Sequence, residues 1–152
     1  MYIHIMDDEI SNAALDLVAG ECICRRARMV ARTVTRVFDD ALRPCGLRIT
    51  QFTLLVAIGK GAPDSISLLA EWLAMERTTL VRNLQLLEKE GLIERGPEGG
   101  RRAKATRLTQ AGRQRLAEAF PYWEQAQKTM HQRLGDEWQL TQNTLDKLVR
   151  SG

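Results

Sequence analysis

The sequence predicts a mainly α-helical fold with one small β-hairpin, and three observations support this class. Apolar residues recur every three or four positions over most of the chain, which is the spacing of one helix face. Aromatic residues make up only 5% of the 152 residues, with 11 glycines and 4 prolines, which disfavours a turn-rich β-sandwich. One stretch, from Leu92 to Leu108, instead resembles two short strands around a glycine-rich tip.

The first long helix is predicted at Ile23–Leu42. Its apolar residues follow helical spacing, its other side is rich in arginine, and Pro44 with Gly46 ends it. The preceding Met1–Met6 is mildly apolar but has no basic flank, and acidic residues follow it. We therefore expect an arm or the lead-in to a helix there, and neither a secretory signal nor a membrane anchor.

Three shorter helices are predicted next. The second helix spans about Thr50–Lys60, with Thr50 as its N-cap. Ser65 or Ser67 caps the third, and a short turn then leads into a fourth helix at Thr78–Glu90, where Gly91 supplies a left-handed C-cap. Two helices joined by so short a turn are typical of a helix-turn-helix unit.

The hairpin and two more helices complete the chain. Leu92–Arg95 and Arg101–Leu108 are predicted to be the two strands. A helix should then run from Thr109 to about His131, broken or bent near Pro121, and a last helix should span Asp136–Val149.

Charge is distributed unevenly along the chain. The first 21 residues hold five acidic residues and no lysine or arginine, whereas Arg95–Arg115 holds seven basic residues and one acid, Glu98, within a net charge of +3. A basic segment is often only a solvated surface. Here it coincides with the hairpin, where glycines allow close approach to a sugar-phosphate backbone and arginine can enter a narrow minor groove.

The fourth helix has the composition of a DNA-reading helix. Its leucines point towards a core, while short polar and hydrogen-bonding side chains occupy its N-terminal end. Arginine pairs with guanine and asparagine with adenine in the major groove, and threonine contacts phosphate or a thymine methyl group. An ordinary capped surface helix would look similar in isolation, but its combination with a cationic hairpin favours DNA. The predicted DNA-binding residues are Arg77, Thr78, Thr79, Arg82 and Asn83 on the helix, and Arg101, Arg102 and Lys104 on the hairpin.

These segments together resemble the MarR family of bacterial winged helix-turn-helix regulators. The matching stretches are Leu47–Leu55, Leu69–Glu71, Arg77–Leu80, Leu86–Ile93 and Arg101–Gly112, within a likeness that extends from about Ile23 to Leu116. The resemblance implies a homodimeric transcriptional regulator, commonly a repressor, in which the first and the last two helices pair across a two-fold axis. Each winged module would then read one half of a pseudo-palindromic site, with half-sites about 34–36 Å apart.

The resemblance also implies a division of the chain into three parts. Residues 1–46 would form an N-terminal arm and dimerisation helix, 47–112 the winged DNA-binding module, and 113–152 the C-terminal dimerisation helices. The terminal helices carry apolar stripes that need a partner. These stripes include Phe120, Trp123, Leu134, Trp138, Leu145 and Leu148.

Two positions depart from the family pattern. Gly100 stands where relatives usually carry an aspartate that orients a wing arginine, so either Glu98 substitutes for it or the arginine is less fixed. Val81 stands where many relatives have threonine, so one polar contact with DNA is lost and Arg82 and Asn83 are expected to contribute more of the base contacts.

Two kinds of signal are expected to release such a regulator from DNA. One is a small aromatic ligand, for which the candidate residues are Arg32, Arg36, Phe38, Phe52 and Val56, although core or helix surface is the more common role for each of them. The other is oxidation of Cys22 or Cys24, since helix N–H groups and Arg25, Arg26 and Arg28 would stabilise a thiolate there. Either cysteine could instead be a small buried apolar residue.

Other classes of protein are less consistent with the sequence. There are two histidines and no nucleophile elbow, phosphate loop or paired-carboxylate motif, so we expect neither an enzyme nor a cofactor. Cys22, Cys24 and His4 lack zinc-site spacing, so no metal is expected. Three cysteines without a regular framework indicate a reduced, cytoplasmic setting, and no membrane partner is expected. The alternative is a winged-helix module that binds protein rather than DNA.

Overall fold

The computed structural model describes residues 9–61, 65–96 and 106–150. The chain divides into two units, Met1–Arg36 and Val37–Gly152. The mainly helical fold with a small hairpin is confirmed. The helices are α1 (Asn12–Glu21), α2 (Ile23–Leu42), α3 (Ile49–Gly59), α4 (Ile66–Trp72), α5 (Arg77–Lys89), α6 (Gln110–Leu134) and α7 (Trp138–Arg150), and the strands are β1 (Ile93–Arg95) and β2 (Thr106–Leu108).

The N-terminal unit contains α1 and most of α2. Helix α1, which the sequence patterns did not reveal, begins after Ser11, whose hydroxyl accepts from the Ala14 N–H at 3.2 Å. Arg25 and Arg26 of α2 donate to the carbonyls of Ala19 (2.9 Å) and Gly20 (2.6 Å), near the C-terminus of α1. Two α2 arginines therefore satisfy carbonyl groups that the end of α1 leaves without helical donors. The expected Met1–Met6 arm lies outside the described residues.

Helix α2 has the predicted bounds, and the turn after it positions α3. A 3₁₀ turn at Arg43–Cys45 ends at Gly46, which adopts φ +68°. Thr50 is not the N-cap of α3, because the helix already begins at Ile49. Asp39 of α2 accepts from the Ile49 N–H at 2.8 Å, so a carboxylate ten residues upstream takes the capping role.

Helices α4 and α5 form the predicted helix-turn-helix. Ser65, rather than Ser67, caps α4 by accepting from the Leu68 N–H at 3.0 Å. The turn contains Ala74 in the left-handed region, at φ +51°. Helix α5 begins at Arg77, one residue before the predicted start, and Gly91 follows its C-cap at φ +74°.

The hairpin is tied to the start of α6. Strands β1 and β2 are antiparallel, with Ile93 opposite Leu108 and Arg95 opposite Thr106. Thr109 caps α6 by accepting from the Gly112 N–H at 3.0 Å, and its own hydroxyl donates to the Gly91 carbonyl at 2.6 Å. The cap of α6 thus also fixes the end of the α5–β1 turn.

Leucines from α2 to α5 form most of the core of the second unit. Leu42, Leu54, Leu80 and Leu87 are fully buried, and Ala119 of α6 closes the cluster. Because Leu42 and Ala119 belong to it, the core extends beyond residues 47–112 at both ends. Burial of these side chains holds α5 in place and leaves its other face to solvent.

The C-terminal helices differ in two respects from the sequence-based expectation. Of the predicted break or bend near Pro121, the break is wrong, because α6 runs from Gln110 to Leu134 as one helix. Pro121 is tolerated inside it because this proline is exposed and water can reach the carbonyl left without a helical donor. Trp123 is half-buried and stacks on Phe52 of α3, with ring centroids 6.2 Å apart. Trp123 therefore packs within its own chain, whereas Leu145 and Leu148 of α7 are exposed as expected.

Candidate nucleic-acid interface

Helix α5 is amphipathic and displays one polar face. Leu80, Leu84 and Leu87 are buried, one helical turn apart, against the core. The residues that alternate with them on the opposite face are exposed or half-buried. Because the α4–α5 turn is short, α4 packs against α5. This arrangement lets the second helix of the pair enter a DNA groove.

The outward face of α5 forms a shallow concavity of about 320 Å³. Arg77, Thr78 and Arg82 line it as expected, and all three are exposed. Val81 is half-buried between them. Two guanidinium groups, a hydroxyl and a small apolar surface are thus grouped on one side of one helix.

Gln85 also lines this concavity, and sequence reasoning did not include it. It is exposed, and it lies seven residues after Thr78, which is two helical turns along the same face. Continuing the outward stripe from Thr78 with helical periodicity could have found it. The prediction stopped at the N-terminal end of the helix.

Asn83 is placed differently from the expectation that it lies on the outward side. Its side chain is half-buried, and its Nδ2 donates to the Thr79 carbonyl at 3.0 Å and lies 3.9 Å from the Met75 sulfur. A bidentate pair with adenine needs both the amide N–H and the amide oxygen directed at the base. The Asn83 amide instead donates to the backbone of its own helix. The side chain of Thr79, one turn earlier, is exposed.

The predicted cationic tip of the hairpin lies outside the described residues. Arg101, Arg102 and Lys104 lie outside the described residues, as do Glu98 and Gly100. At the base of the hairpin, Arg95 on β1 has a side chain only 17% exposed, with its Nε 3.3 Å from Glu88 Oε2 of α5. The contact lacks hydrogen-bond geometry, so it is an ion pair that links the hairpin to α5. Sequence patterns gave no sign of it.

The sensor candidates are divided between the two units. In the N-terminal unit, Cys22 and Cys24 line an open concavity of about 550 Å³ together with Arg25, Arg28, Met29 and Arg32. Cys24 is exposed and Cys22 is half-buried. In the second unit, Phe38 and Phe52 are both buried. Of the two remaining candidates, Arg36 is exposed and Val56 half-buried.

Cys45 is in a different environment from the other two cysteines. Its Sγ donates to the Glu118 carbonyl at 3.7 Å, and Arg115 donates to the Cys45 carbonyl at 3.2 Å. Partial burial, followed by the charge of Glu118, raises the pKa of the Cys45 thiol, against an opposing effect of Arg115. This thiol is thereby kept in its less nucleophilic, neutral form.

The described residues contain neither a metal-binding cluster nor a membrane-spanning helix. No group of three or more His, Cys, Asp or Glu side chains is arranged there to hold a metal ion. Nor is any helix in the ranges 9–61, 65–96 and 106–150 both long and apolar enough to cross a membrane.

Comparison with known proteins gives a family. Residues 46–103 match the model of the MarR family. The M. tuberculosis transcriptional regulator MosR is 35% identical over 87% of this chain and 96% of its own, with a TM-score of 0.77. A second MosR structure, in complex with DNA, gives 34% identity over 86% and 96% of the two chains and a TM-score of 0.72.

A more distant relative has the same fold. CouR from Rhodococcus jostii RHA1, bound to p-coumaroyl-CoA, is 21% identical over 85% of this chain and 92% of its own, with a TM-score of 0.70. These relatives and the matched family are transcriptional regulators rather than enzymes. Given the identity with MosR over nearly its whole length, the chain belongs to the MarR family of transcriptional regulators.

Proposed function

We propose that this protein is a sequence-specific DNA-binding repressor that acts as a homodimer. The observation that carries the proposal is the outward face of α5, where Arg77, Thr78, Val81, Arg82 and Gln85 line one concavity. Among the described residues, no side chain caps the N-terminus of α5, so its first N–H groups suit a DNA phosphate. The likeness to MosR, which has been crystallised with DNA, supports the same partner.

Exposed apolar side chains on the terminal helices support the dimer. On α7, Leu145 is 49% and Leu148 55% exposed, and they lie three residues apart on one face. In the N-terminal unit, Leu15, Val18 and Ile23 are exposed as well. Apolar surface of this kind is stabilised by a partner, and a second copy brings two reading helices to one duplex.

A salt titration tests DNA binding against the alternative of a protein-interaction module. We expect fluorescence anisotropy with labelled DNA from beside the protein's own gene to show tight binding at low salt. A reader with several phosphate contacts should lose affinity by about 10³ or more between about 50 and 200 mM salt. Absence of binding, or binding indifferent to salt, would favour the protein-interaction module.

For the signal that releases the protein from DNA, we propose either a small aromatic ligand or cysteine oxidation. CouR, which was crystallised with p-coumaroyl-CoA, supports the first. The concavity that contains both Cys22 and Cys24 supports the second. In that route peroxide takes two electrons from a thiolate, and a sulfenic acid and hydroxide are formed. The added oxygen atom beside α1 and α2, and the loss of the thiolate charge, would disturb the N-terminal unit.

The two routes are separated on one preformed protein–DNA complex. Peroxide should dissociate the wild-type complex, but not one formed by the Cys22→Ser, Cys24→Ser double variant, and added thiol should restore binding. Dissociation by p-coumaroyl-CoA or benzoate, equal in both proteins, would instead assign release to a ligand. Resistance of the wild-type complex to peroxide would eliminate the redox route.

A further inference from the structure

The outward face of α5 has a composition that specifies which bases it reads, an inference that rests on the proposed DNA binding. Of the five residues that line the concavity, Arg77 and Thr78 are at the helix N-terminus, where phosphate contacts are made. Val81, Arg82 and Gln85 lie further along, over the part of the helix that would face base edges. These three side chains differ in hydrogen-bonding chemistry.

Each of the three matches a different base. The guanidinium group of Arg82 donates two hydrogen bonds, which suits guanine O6 and N7, and the amide of Gln85 donates one and accepts one, which suits adenine N6 and N7. Val81 offers only methyl groups, which suit the thymine C5-methyl. Asn83 does not compete for an adenine, because its amide donates to the Thr79 carbonyl.

We propose that Gln85 is a specificity-determining residue that reads an adenine, close to a guanine read by Arg82. Gln85 is three positions after Arg82, a rise of about 4.5 Å along the helix. Base pairs are stacked about 3.4 Å apart, so the two bases lie one or two steps from each other in each half-site. Val81, which immediately precedes Arg82 in sequence, contacts the methyl group of a thymine in the same segment.

The proposal is tested by selecting bound duplexes from a randomised library with the full-length protein and three variants. Gln85→Ala should flatten the preference at one A·T pair, by between about 5- and 100-fold, and leave the neighbouring guanine preference intact. Arg82→Ala should do the reverse. Asn83→Ala is the matched control, because an amide is again removed from α5, and it should leave the selected sequence unchanged.

A fourth variant changes the preference rather than removing it. Gln85→Glu has nearly the same shape but only accepts hydrogen bonds, so it should favour cytosine, whose N4 amino group donates, at the position where wild type selects adenine. An unchanged profile for both Gln85 variants, or a change with Asn83→Ala instead, would overturn the assignment of Gln85 while DNA binding stands. If the wild type selects no sequence at all, the proposed function and this inference fail together.

Discussion

Cys24 and Cys45 are two thiols of one chain with opposite environments. Cys24 is exposed at the start of α2, whereas the Cys45 thiol is half-buried, donates to the Glu118 carbonyl, and has a raised pKa. Near neutral pH we therefore expect iodoacetamide to alkylate Cys24 at least tenfold faster than Cys45, as followed by peptide mass spectrometry. Raising the pH should reduce the ratio of the two alkylation rates, because the raised pKa means that Cys45 forms its thiolate only at more alkaline pH. Faster labelling of Cys45 would contradict its described environment.

The solvent exposure of a side chain was predictable from the sequence only where helical periodicity determines it. Arg77, Thr78 and Arg82 face solvent as the helical pattern indicates. Asn83 does not, because its amide forms a hydrogen bond with the Thr79 carbonyl one turn back, and periodicity does not report such a contact. The Glu88–Arg95 ion pair was equally hidden, since it joins two elements whose relative positions depend on the fold.

The Glu88–Arg95 ion pair connects the reading helix to the hairpin. The Arg95 side chain is mostly buried and Glu88 about half exposed, so solvent screens the pair in part. We expect Glu88→Gln to lower the free energy of unfolding by about 0.5–1 kcal/mol in a urea titration. Glu90→Gln, at the exposed C-cap of α5, is the control and should cost nothing measurable. If both variants changed the free energy of unfolding equally, the Glu88–Arg95 ion pair would have no specific role in stability.

The junction of β1 with α6 leaves no space for a side chain at Gly112. A Cβ atom there would overlap the backbone carbonyl of Leu92, which cannot move without disturbing its bond from the Thr109 N–H. Gly112→Ala should therefore lower the free energy of unfolding by about 1–3 kcal/mol, measured by urea denaturation. Gly20→Ala, in α1 with open space around it, should leave stability unchanged or raise it. A neutral Gly112→Ala would show that the junction is looser than described.

Element boundaries were predictable where a residue next to the element in sequence determines them. Ser65 at α4 and Gly91 after α5 are such signals. The start of α3 was misplaced because Asp39, distant in sequence, supplies the cap. Helix α1 was missed because it is far less amphipathic than α2, and only Cys22 separates the two helices.

At the scale of the whole molecule, exposed apolar side chains on the terminal helices are the basis of the proposed dimer. Leu148 of α7 is 55% exposed, and Leu68 of α4 is similarly exposed, at 52%, but lies in the helix-turn-helix. If α7 pairs two copies, Leu148→Asp should shift sedimentation from dimer towards monomer, because the pairing then buries an unpaired charge. Leu68→Asp should leave the dimer intact. A wild-type protein that sediments as a monomer, or a dimer indifferent to Leu148→Asp, would contradict the assignment of α7.

At the scale of the whole chain, the order of elements along the sequence predicts both the fold and the family. Helix, short turn, polar-tipped helix and cationic hairpin are local patterns, and together they indicate one architecture. The same local patterns did not predict which apolar side chains pack in the core of the chain and which remain exposed for a proposed partner. Trp123, expected in a dimer interface, packs on Phe52, because the helical stripe alone does not distinguish the two destinations.

Sequence-specific binding to DNA is tested most directly by comparing two duplexes of equal length, one carrying the site selected from a random library and the other the same bases scrambled. At physiological salt we predict that the protein binds the selected duplex at least about 10³-fold more tightly than the scrambled one. Equal affinity for both duplexes would contradict the account, since phosphate contacts alone would then explain all the binding.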